Sequence, residues 1–231
     1  MIIPEKNVHP RIKSYILRQG RATSGQQNAI DKVWGHYCLD PSKSYDYTKV
    51  FGRNAPLIVE IGFGNGSSLA EIASANPDIN YLGFEVHRPG VGHLMLLLEE
   101  KEITNVKIYH FDAIEILEQK IPDQFLAGVH LFFPDPWQKR KHHKRRIVRP
   151  SFVQLLNKKL KKDGYFHTAT DWEHYAKEMI KILSSSTNGL VNINEEGGFC
   201  PRPEYRPLTK FENRGLQLGH GVWDLIFKKI K

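Results

Sequence analysis

The fold of this chain is decided by the stretch Leu57-Ile58-Val59-Glu60-Ile61-Gly62-Phe63-Gly64-Asn65-Gly66-Ser67-Ser68. Residues 57–61 form a short apolar, β-branched run with one acid, which is typical of a buried parallel strand. Three glycines follow at alternate positions, where they allow a sharp turn and expose bare backbone to a ligand. Ser68 and Glu71 have the spacing of a capping box, which starts a helix. The stretch therefore predicts a strand, a glycine turn and a helix.

The spacing of the glycines narrows the class of ligand. The dinucleotide fingerprint GxGxxG requires a glycine at position 67, and a phosphate loop requires a GK[ST] ending; neither is present. The chain instead has GxGxG at Gly62, Gly64 and Gly66, with Glu60 two residues before the first glycine. This arrangement resembles motif I of the S-adenosylmethionine (SAM)-dependent methyltransferases, whose ligand carries an ammonium group and no phosphate. For this stretch alone, a glycine turn without a ligand is the alternative.

Length and composition predict one α/β domain. The chain has 231 residues, of which 40% are hydrophobic and 25% charged, as in ordinary globular proteins. No apolar run has the length of a signal peptide or a membrane span, so we expect a cytoplasmic protein without a membrane partner. Two cysteines and histidines without HxxxH-type pairing give no basis for a metal site. The sequence does not decide between a monomer and a homodimer.

The basic excess is concentrated in one segment. The net charge is +8, and residues 139–149 contain seven Lys or Arg and no acid, whereas the rest of the chain has 26 basic and 25 acidic residues. A localised basic patch on a folded domain indicates a polyanionic partner, although a solvated basic loop is the commoner origin of such a run. Residues 1–30 are also basic and lack periodicity, so we predict a flexible N-terminal arm there and a single domain over 31–231.

Alternating strand and helix patterns continue after the glycine turn. Further strands are predicted at 81–86, 105–113, 126–133 and 165–170, and a final antiparallel strand at 221–230. Segments 41–54 and 206–215 are interpreted as linker or loop. The predicted fold is a doubly wound, mostly parallel sheet with helices on both faces. Acids then fall at or near the carboxyl ends of the first four strands, the edge where such sheets bind ligands: Glu60, Glu85, Asp112 and Asp135.

Several motifs together closely resemble the bacterial tRNA (guanine-N7-)-methyltransferases, over roughly residues 15 to 230. The most specific is Phe133-Pro134-Asp135-Pro136-Trp137 joined to the basic run that follows it. The others are the glycine motif at 60–66, Glu85-x-His87-x-x-Gly90-Val91-Gly92, Thr170-Asp171-x-Glu173 and Thr209-Lys210-Phe211-Glu212-x-Arg214-Gly215. One departure is Gln138, where many relatives carry proline or lysine; its neighbours Trp137 and Lys139 are kept.

This resemblance implies a class I SAM methyltransferase fold, which is Rossmann-like, and a reaction. SAM would methylate N7 of a guanine in the variable loop of tRNA, giving 7-methylguanosine. The resemblance assigns residues to three roles. The cofactor-binding residues are Glu60, Gly62, Gly64, Gly66, Glu85, Asp112 and Asp135, and Asp135 is also the active-site residue. The substrate-binding residues are Lys139, Asp171, Thr209, Lys210, Phe211 and Glu212. The residues that would meet the tRNA backbone are Arg140, Lys141, Lys144, Arg145 and Arg146.

The chemistry of the acceptor sets what these residues must do. Guanine N7 carries an in-plane lone pair and is unprotonated at neutral pH, so its methylation requires positioning rather than a strong base. Our hypothesis is that Asp135 orients the base and meets the positive charge that develops on it, while Trp137 packs against the ring. Two alternatives stay open at this stage. One is a SAM methyltransferase that acts on ribosomal RNA or another base; the other is a non-catalytic RNA-binding protein with this fold.

Overall fold

The computed structural model describes residues 11–17, 20–185, 189–217, 219 and 221–230. The side chains of Lys210, Phe211, Arg214 and Leu216 also lie outside the description. The described helices are α1 (Ser24–Tyr37), α2 (Tyr47–Phe51), α3 (Ser67–Ala75), α4 (Arg88–Glu100), α5 (Ala113–Gln119), α6 (Pro150–Lys159), α7 (Glu173–Leu183) and α8 (Lys210–Gln217). The strands are β1 (Leu57–Ile61), β2 (Asn80–Phe84), β3 (Val106–Tyr109), β4 (Leu126–Phe132), β5 (Leu160–Thr170), β6 (Leu190–Asn192) and β7 (Trp223–Lys229).

One sheet of seven strands organises the chain in the order β3-β2-β1-β4-β5-β7-β6. The pairs from β3 to β5 are parallel, and β7 is antiparallel to both β5 and β6. The strand order reverses at β1, which lies between β2 and β4. The predicted doubly wound, mostly parallel sheet with a final antiparallel strand is therefore confirmed.

Apolar side chains bury both faces of the sheet, as the predicted helices on each side require. One cluster joins the sheet to α1, α3 and α4, and its fully buried members include Leu69 and Leu94. The other cluster joins the opposite face to α5, α6 and α7, with Leu117, Leu156 and Met179 at its centre. Each helix therefore stabilises the strands while their carboxyl ends stay open for a site.

Local structure differs from the sequence prediction at several helix ends. The predicted capping box is wrong: Gly66 is the N-cap of α3, and the Asn65 side chain accepts the backbone N–H of Ser67. Gly66 takes φ +77°, so the chain is already turned into the helix two residues before Ser68. The segment predicted as a loop near 206–215 contains α8, and the predicted linker 41–54 contains α2.

A helix crosses the boundary that we predicted between the N-terminal arm and the domain. Thr23 and Gln26 form a capping box that starts α1 at Ser24, so the predicted boundary at residue 30 falls inside a helix. Residues 1–10 and 18–19 of the predicted flexible arm lie outside the described residues. Among the described helices, none combines the length and apolar character that a bilayer crossing requires.

The glycine turn after β1 is packed directly against the start of α4. A Cβ atom built on Gly90 would lie 2.1 Å from the backbone oxygen of Gly64, a distance that no real contact allows. The obstruction is backbone rather than a flexible side chain, so the turn and the helix would both have to shift. Gly90 therefore keeps the turn in place beside β2.

We expect Gly90→Ala to lower the free energy of unfolding by ~3 kcal/mol, because overpacking against backbone forces the helix away from the turn. The matched control is Gly35→Ala in α1, where an added Cβ meets nothing within 4 Å. That change should instead stabilise the helix by about 0.5–1 kcal/mol. Urea denaturation of both variants measures the difference. A Gly90→Ala protein as stable as the parent would contradict the packing described here.

Candidate active site at the carboxyl edge of the sheet

A cavity of about 260 Å³ opens where β1, β2 and β4 end. Four residues predicted from sequence line it together: Gly62, Glu85, Asp112 and Asp135. Its apolar walls come mainly from the strand ends and the segments that follow them, including Ile61, Phe84, Phe111, Ile114, Leu131, Phe132 and Phe133. Acids at the rim and an apolar interior suit a ligand with both a polar and a flat apolar part.

The glycine turn is held by the acid that ends the next strand. Gly62, Gly64 and Gly66 all have positive φ, between 61° and 77°. The Glu85 carboxylate accepts the backbone N–H of Gly64 at 2.8 Å and those of Val86 and His87 at 2.6 and 2.9 Å. Three of the roughly four acceptor positions of a carboxylate are thus used. Glu85 fixes the turn and still lines the cavity.

Asp112 has one oxygen engaged and one oxygen without a partner. Its Oδ1 accepts the backbone N–H of Ile114 and so caps α5, and it also pairs with Arg11 at 2.6 Å. Its Oδ2 is buried and has no hydrogen-bond partner among the described residues. A buried acceptor without a donor costs free energy, so Oδ2 is the atom that a ligand's N–H group would satisfy.

Glu60 lies next to the cavity rather than in its lining. Its side chain is buried on the β1 face that α3 and α4 cover, in register with Gly83 of β2 and His130 of β4. Its Oε2 has no partner among the described residues, and burial raises the pKa of its carboxyl group to about 8. A neighbouring cation would compensate this carboxylate, whereas nothing described does so now.

The loop from Phe133 to Trp137 places Asp135 at the mouth of the cavity. Phe133 and Trp137 have backbone φ angles of +50° and +46°, a region that residues other than glycine rarely adopt. Asp135 between them is exposed, and its carboxylate has no hydrogen bond or ion pair among the described residues. Backbone strain of this kind costs about 1–3 kcal/mol per residue and clusters at functional sites.

Groups from distant parts of the chain hold this loop. The Phe133 N–H donates to the Ala169 carbonyl at 2.8 Å. Arg146 Nε donates to the Pro136 carbonyl at 2.8 Å. The Trp137 ring N–H donates to the Ser14 carbonyl at 3.1 Å. The strained geometry is therefore determined by three separate segments.

The N-terminal segment forms one wall of the cavity, which sequence reasoning missed. Ser14 and Tyr15 line it, while Arg11 reaches Asp112 across 101 positions of sequence. We find no signal in the local pattern that predicts these contacts, because residues 11–15 mix basic, apolar and aromatic side chains without periodicity. The sequence shows that Arg11 is basic, but it does not show that Asp112 is its partner.

The basic run divides into exposed and buried members. Residues Arg140–Arg145 form a 3₁₀ helix, and the exposed side chains around it are those of Lys139, Arg140, Lys141 and Lys144. Arg145 lies over the Trp137 ring, 5.2 Å from its centroid. Arg146 differs from its predicted place in a tRNA-facing patch, because it is buried and bound to Glu178, His174 and the Pro136 carbonyl. Its partners on α7 and in the strained loop draw it into the interior.

The other predicted substrate residues have mixed placements. Asp171 directly follows β5 at the same edge of the sheet and is half-buried. The Thr209 hydroxyl accepts the backbone N–H of Glu212 in the first turn of α8. The predicted roles of the Lys210 and Phe211 side chains lie outside the described residues. Glu212 is buried against Arg206, to which both its oxygens bind at 2.7 Å.

Metal-ligating side chains do not gather at this edge in the described ranges. Nowhere in the described part of the chain do three or more His, Cys, Asp or Glu side chains form a group that could hold a metal ion. Cavity and loop offer instead carboxylates, backbone N–H groups and aromatic rings.

The amino-acid sequence matches a known protein family and curated relatives. Residues 54–225 match a family model described as a putative methyltransferase. The tRNA (guanine-N(7)-)-methyltransferase of Hydrogenovibrio crunogenus is 55% identical over 221 residues, which cover 95% of this chain and 92% of that protein. The protein of the same name from Shewanella amazonensis is 51% identical over 222 residues, covering 96% and 93%.

A solved structure supports the fold independently of sequence. The crystal structure of the 16S rRNA methyltransferase KamB superposes with a TM-score of 0.58 at 12% identity, covering 82% of this chain and 95% of that one. Such low identity speaks for the fold alone, whereas the relatives at 51–55% identity match nearly from end to end. By these matches the chain belongs to the tRNA (guanine-N(7)-)-methyltransferase family.

Proposed function

We propose that this protein transfers a methyl group from SAM to N7 of a guanine in tRNA, leaving 7-methylguanosine. The observation that carries the proposal is that Gly62, Glu85, Asp112 and Asp135 line one cavity together in a chain of this family. We further propose that the reaction takes place in the cytoplasm and that the methylated guanine lies in the variable loop of tRNA.

The residues around the cavity fit SAM. SAM supplies a methyl group on a positively charged sulfur, which makes that methyl electrophilic. Glu85 keeps about one acceptor position for a ribose hydroxyl, and the unpartnered Asp112 Oδ2 can accept from the adenine amino group. Phe111 and Ile114 offer apolar surface for a purine ring. The buried Glu60 carboxyl group holds its proton while no ligand is bound, and the ammonium group of the methionine part of SAM would favour its ionised form, which a neutral ligand would not.

Asp135 is suited to orienting the guanine. Its carboxylate is exposed and unpaired among the described residues, so it is free to accept from the ring N–H donors of a base. Methylation makes the base cationic, and a fixed carboxylate beside it stabilises that developing charge. Trp137, fixed by its hydrogen bond to Ser14, presents a ring for stacking. The strained loop therefore supplies both the Asp135 carboxylate and the Trp137 ring from one short segment.

The exposed side chains of Lys139, Arg140, Lys141 and Lys144 form a basic patch beside the loop. We assign them the tRNA phosphates, since sequence-independent phosphate contacts dominate the affinity of such complexes. Duplex RNA offers side chains little sequence information, so selection of one guanine depends on tRNA shape and on an unstacked base. Arg146 is left out of this patch, because its guanidinium is buried.

The first experiment incubates the protein with labelled SAM and unmodified tRNA transcript, then digests the RNA and identifies the methylated nucleoside. We expect 7-methylguanosine. We expect Asp135→Asn to lower kcat by about 100-fold, the size of effect seen when one preorganised electrostatic group is removed. The Kd for SAM should change less than about threefold, because the other acids remain. Equal losses in turnover and SAM affinity would contradict the role given to Asp135, and a different methylated nucleoside would overturn the substrate.

Glu60 predicts an unusual pH dependence of stability. Its pKa is about 8 in the folded protein against 4.5 for the free side chain, so the folded state retains a proton that the unfolded chain releases. Stability without ligand should therefore fall as pH rises from 4.5 to 8, by roughly 5 kcal/mol in total. Glu60→Gln should remove this loss, so its advantage over the parent should grow with pH. Urea denaturation between pH 5 and 8.5 measures it, with Glu71→Gln on the exposed face of α3 as control. Parallel stability curves for Glu60→Gln and parent would contradict the raised pKa.

The basic patch predicts a steep salt dependence of tRNA binding. We expect Lys141→Gln/Lys144→Gln to reduce the slope of log K against log salt by about two, one unit for each phosphate that is no longer neutralised. Lys43→Gln/Lys49→Gln is the matched control, because both lysines are exposed near α2, away from the cavity. Filter binding at several salt concentrations gives the slopes. If both double variants kept the parent slope, the patch would be an ordinary solvated surface.

A further inference from the structure

Arg206 is buried between the sheet and α8, outside the lining of the cavity. Only 1% of the residue is exposed. Its Nη1 and Nη2 donate to the two oxygens of Glu212, both at 2.7 Å. Its Nε and Nη2 donate to the two oxygens of Asp224 at 2.7 and 2.8 Å. One guanidinium thus joins α8 to β7 through four hydrogen bonds.

The same guanidinium contacts the strained loop. It lies 5.6 Å from the ring centroid of Phe133 and 5.9 Å from that of Phe132. Phe133 is the first residue of the loop in the left-handed region, and Asp135 follows two positions later. Arg206 therefore touches the start of the loop on one side and the start of α8 on the other.

The sheet itself fixes Asp224 beside this loop. Asp224 of β7 pairs in register with Ala169 of β5, and the Ala169 carbonyl accepts the N–H of Phe133. His167 Nε2 lies 2.8 Å from Asp224 Oδ1, and the hydroxyl of Tyr205 lies 2.8 Å from His167 Nδ1. Burial acts to raise the pKa of Asp224, but hydrogen bonds from His167 and Arg206 outweigh it and lower that pKa. Asp224 is a fixed, ionised anchor.

We propose that Arg206 is a positioning residue for methyl transfer: it sets the Phe133–Trp137 loop and α8 in one geometry, so that Asp135 and the Thr209–Glu212 segment face the same guanine. The inference rests on the proposed function and adds a residue to it. It also gives Glu212 a part in orienting α8 through Arg206, in place of direct contact with the substrate.

The chemistry of arginine explains why this position needs it. A guanidinium is planar and offers five N–H donors in a fixed fork, so it can hold two carboxylates and an aromatic face at once. A lysine ammonium is a point charge on a flexible stem and cannot fix both partners in one plane. Replacement of buried ion pairs by apolar groups is often neutral for stability. The value of the group here is therefore its fixed geometry.

The test compares Arg206→Lys with the parent and with Arg53→Lys. The substitution keeps the positive charge that the two buried acids require. Arg53 is a matched control, because it hydrogen-bonds Asn80 and the Ile79 carbonyl at the start of β2, at the opposite end of the strands from the cavity. With saturating SAM and tRNA we expect Arg206→Lys to lower kcat by about 10- to 100-fold, the cost of a misplaced reactive group. The Kd for SAM should stay within about threefold. Amide exchange should speed up in 210–217 and at Phe133, Asp135 and Trp137, the loop residues that carry an amide hydrogen.

A second variant, Glu212→Gln, releases α8 while the Arg206–Asp224 pair stays intact, so it serves even where Arg206→Lys does not fold. We expect it to lower kcat, and we expect the combined Arg206→Lys/Glu212→Gln protein to lose little more than the worse single variant. Unchanged kcat, loss proportional to unfolded protein, or additive losses with a raised KM for tRNA would each overturn the inference. If the parent protein did not methylate tRNA, the proposed function would fall, and amide exchange would still decide whether Arg206 holds the loop.

Discussion

Parallel pairing of β1 with β2 on one side and with β4 on the other is the constraint on which the site depends. It brings three strands to end at one edge, so Gly62, Glu85 and Asp135 meet although they lie far apart in sequence. The glycine turn can follow β1 only because Gly90 leaves room for the Gly64 carbonyl. The cavity is therefore a consequence of strand order and of one missing side chain.

Much of this could be predicted from the sequence, because the relevant signals are local. The strands have apolar runs and the glycine turn has its spacing. The acids Glu85, Asp112 and Asp135 stand within three residues of the strand ends, so their meeting at the cavity follows from the topology. The wall formed by Ser14 was not predictable, because its contact with Trp137 spans 123 positions and has no local pattern.

The charge of a residue predicted its exposure less well than hydrophobicity predicted burial. Arg146 stands in a basic run that is otherwise largely exposed, yet it is buried beneath the strained loop; Glu212 and Arg206 stand in a polar segment, yet they are buried against each other. The sequence shows that a side chain is charged, but it does not show whether the fold places a group of opposite charge beside it in the interior. The strain at Phe133 and Trp137 was equally invisible, since nothing in their neighbours requires positive φ.

The position of the basic patch has a kinetic consequence. Outside residues 139–149 the chain carries 26 basic and 25 acidic residues, so nearly all of its net positive charge comes from this one segment. The patch begins four residues after Asp135, so the basic excess of the chain lies close to the candidate active site in sequence. A protein with such a localised positive charge is oriented by the electric field of a polyanion before the two molecules make contact, because electrostatic attraction acts over a longer distance than contact forces. Under the proposed function, this steering would raise the share of collisions that bring the RNA to the candidate active site.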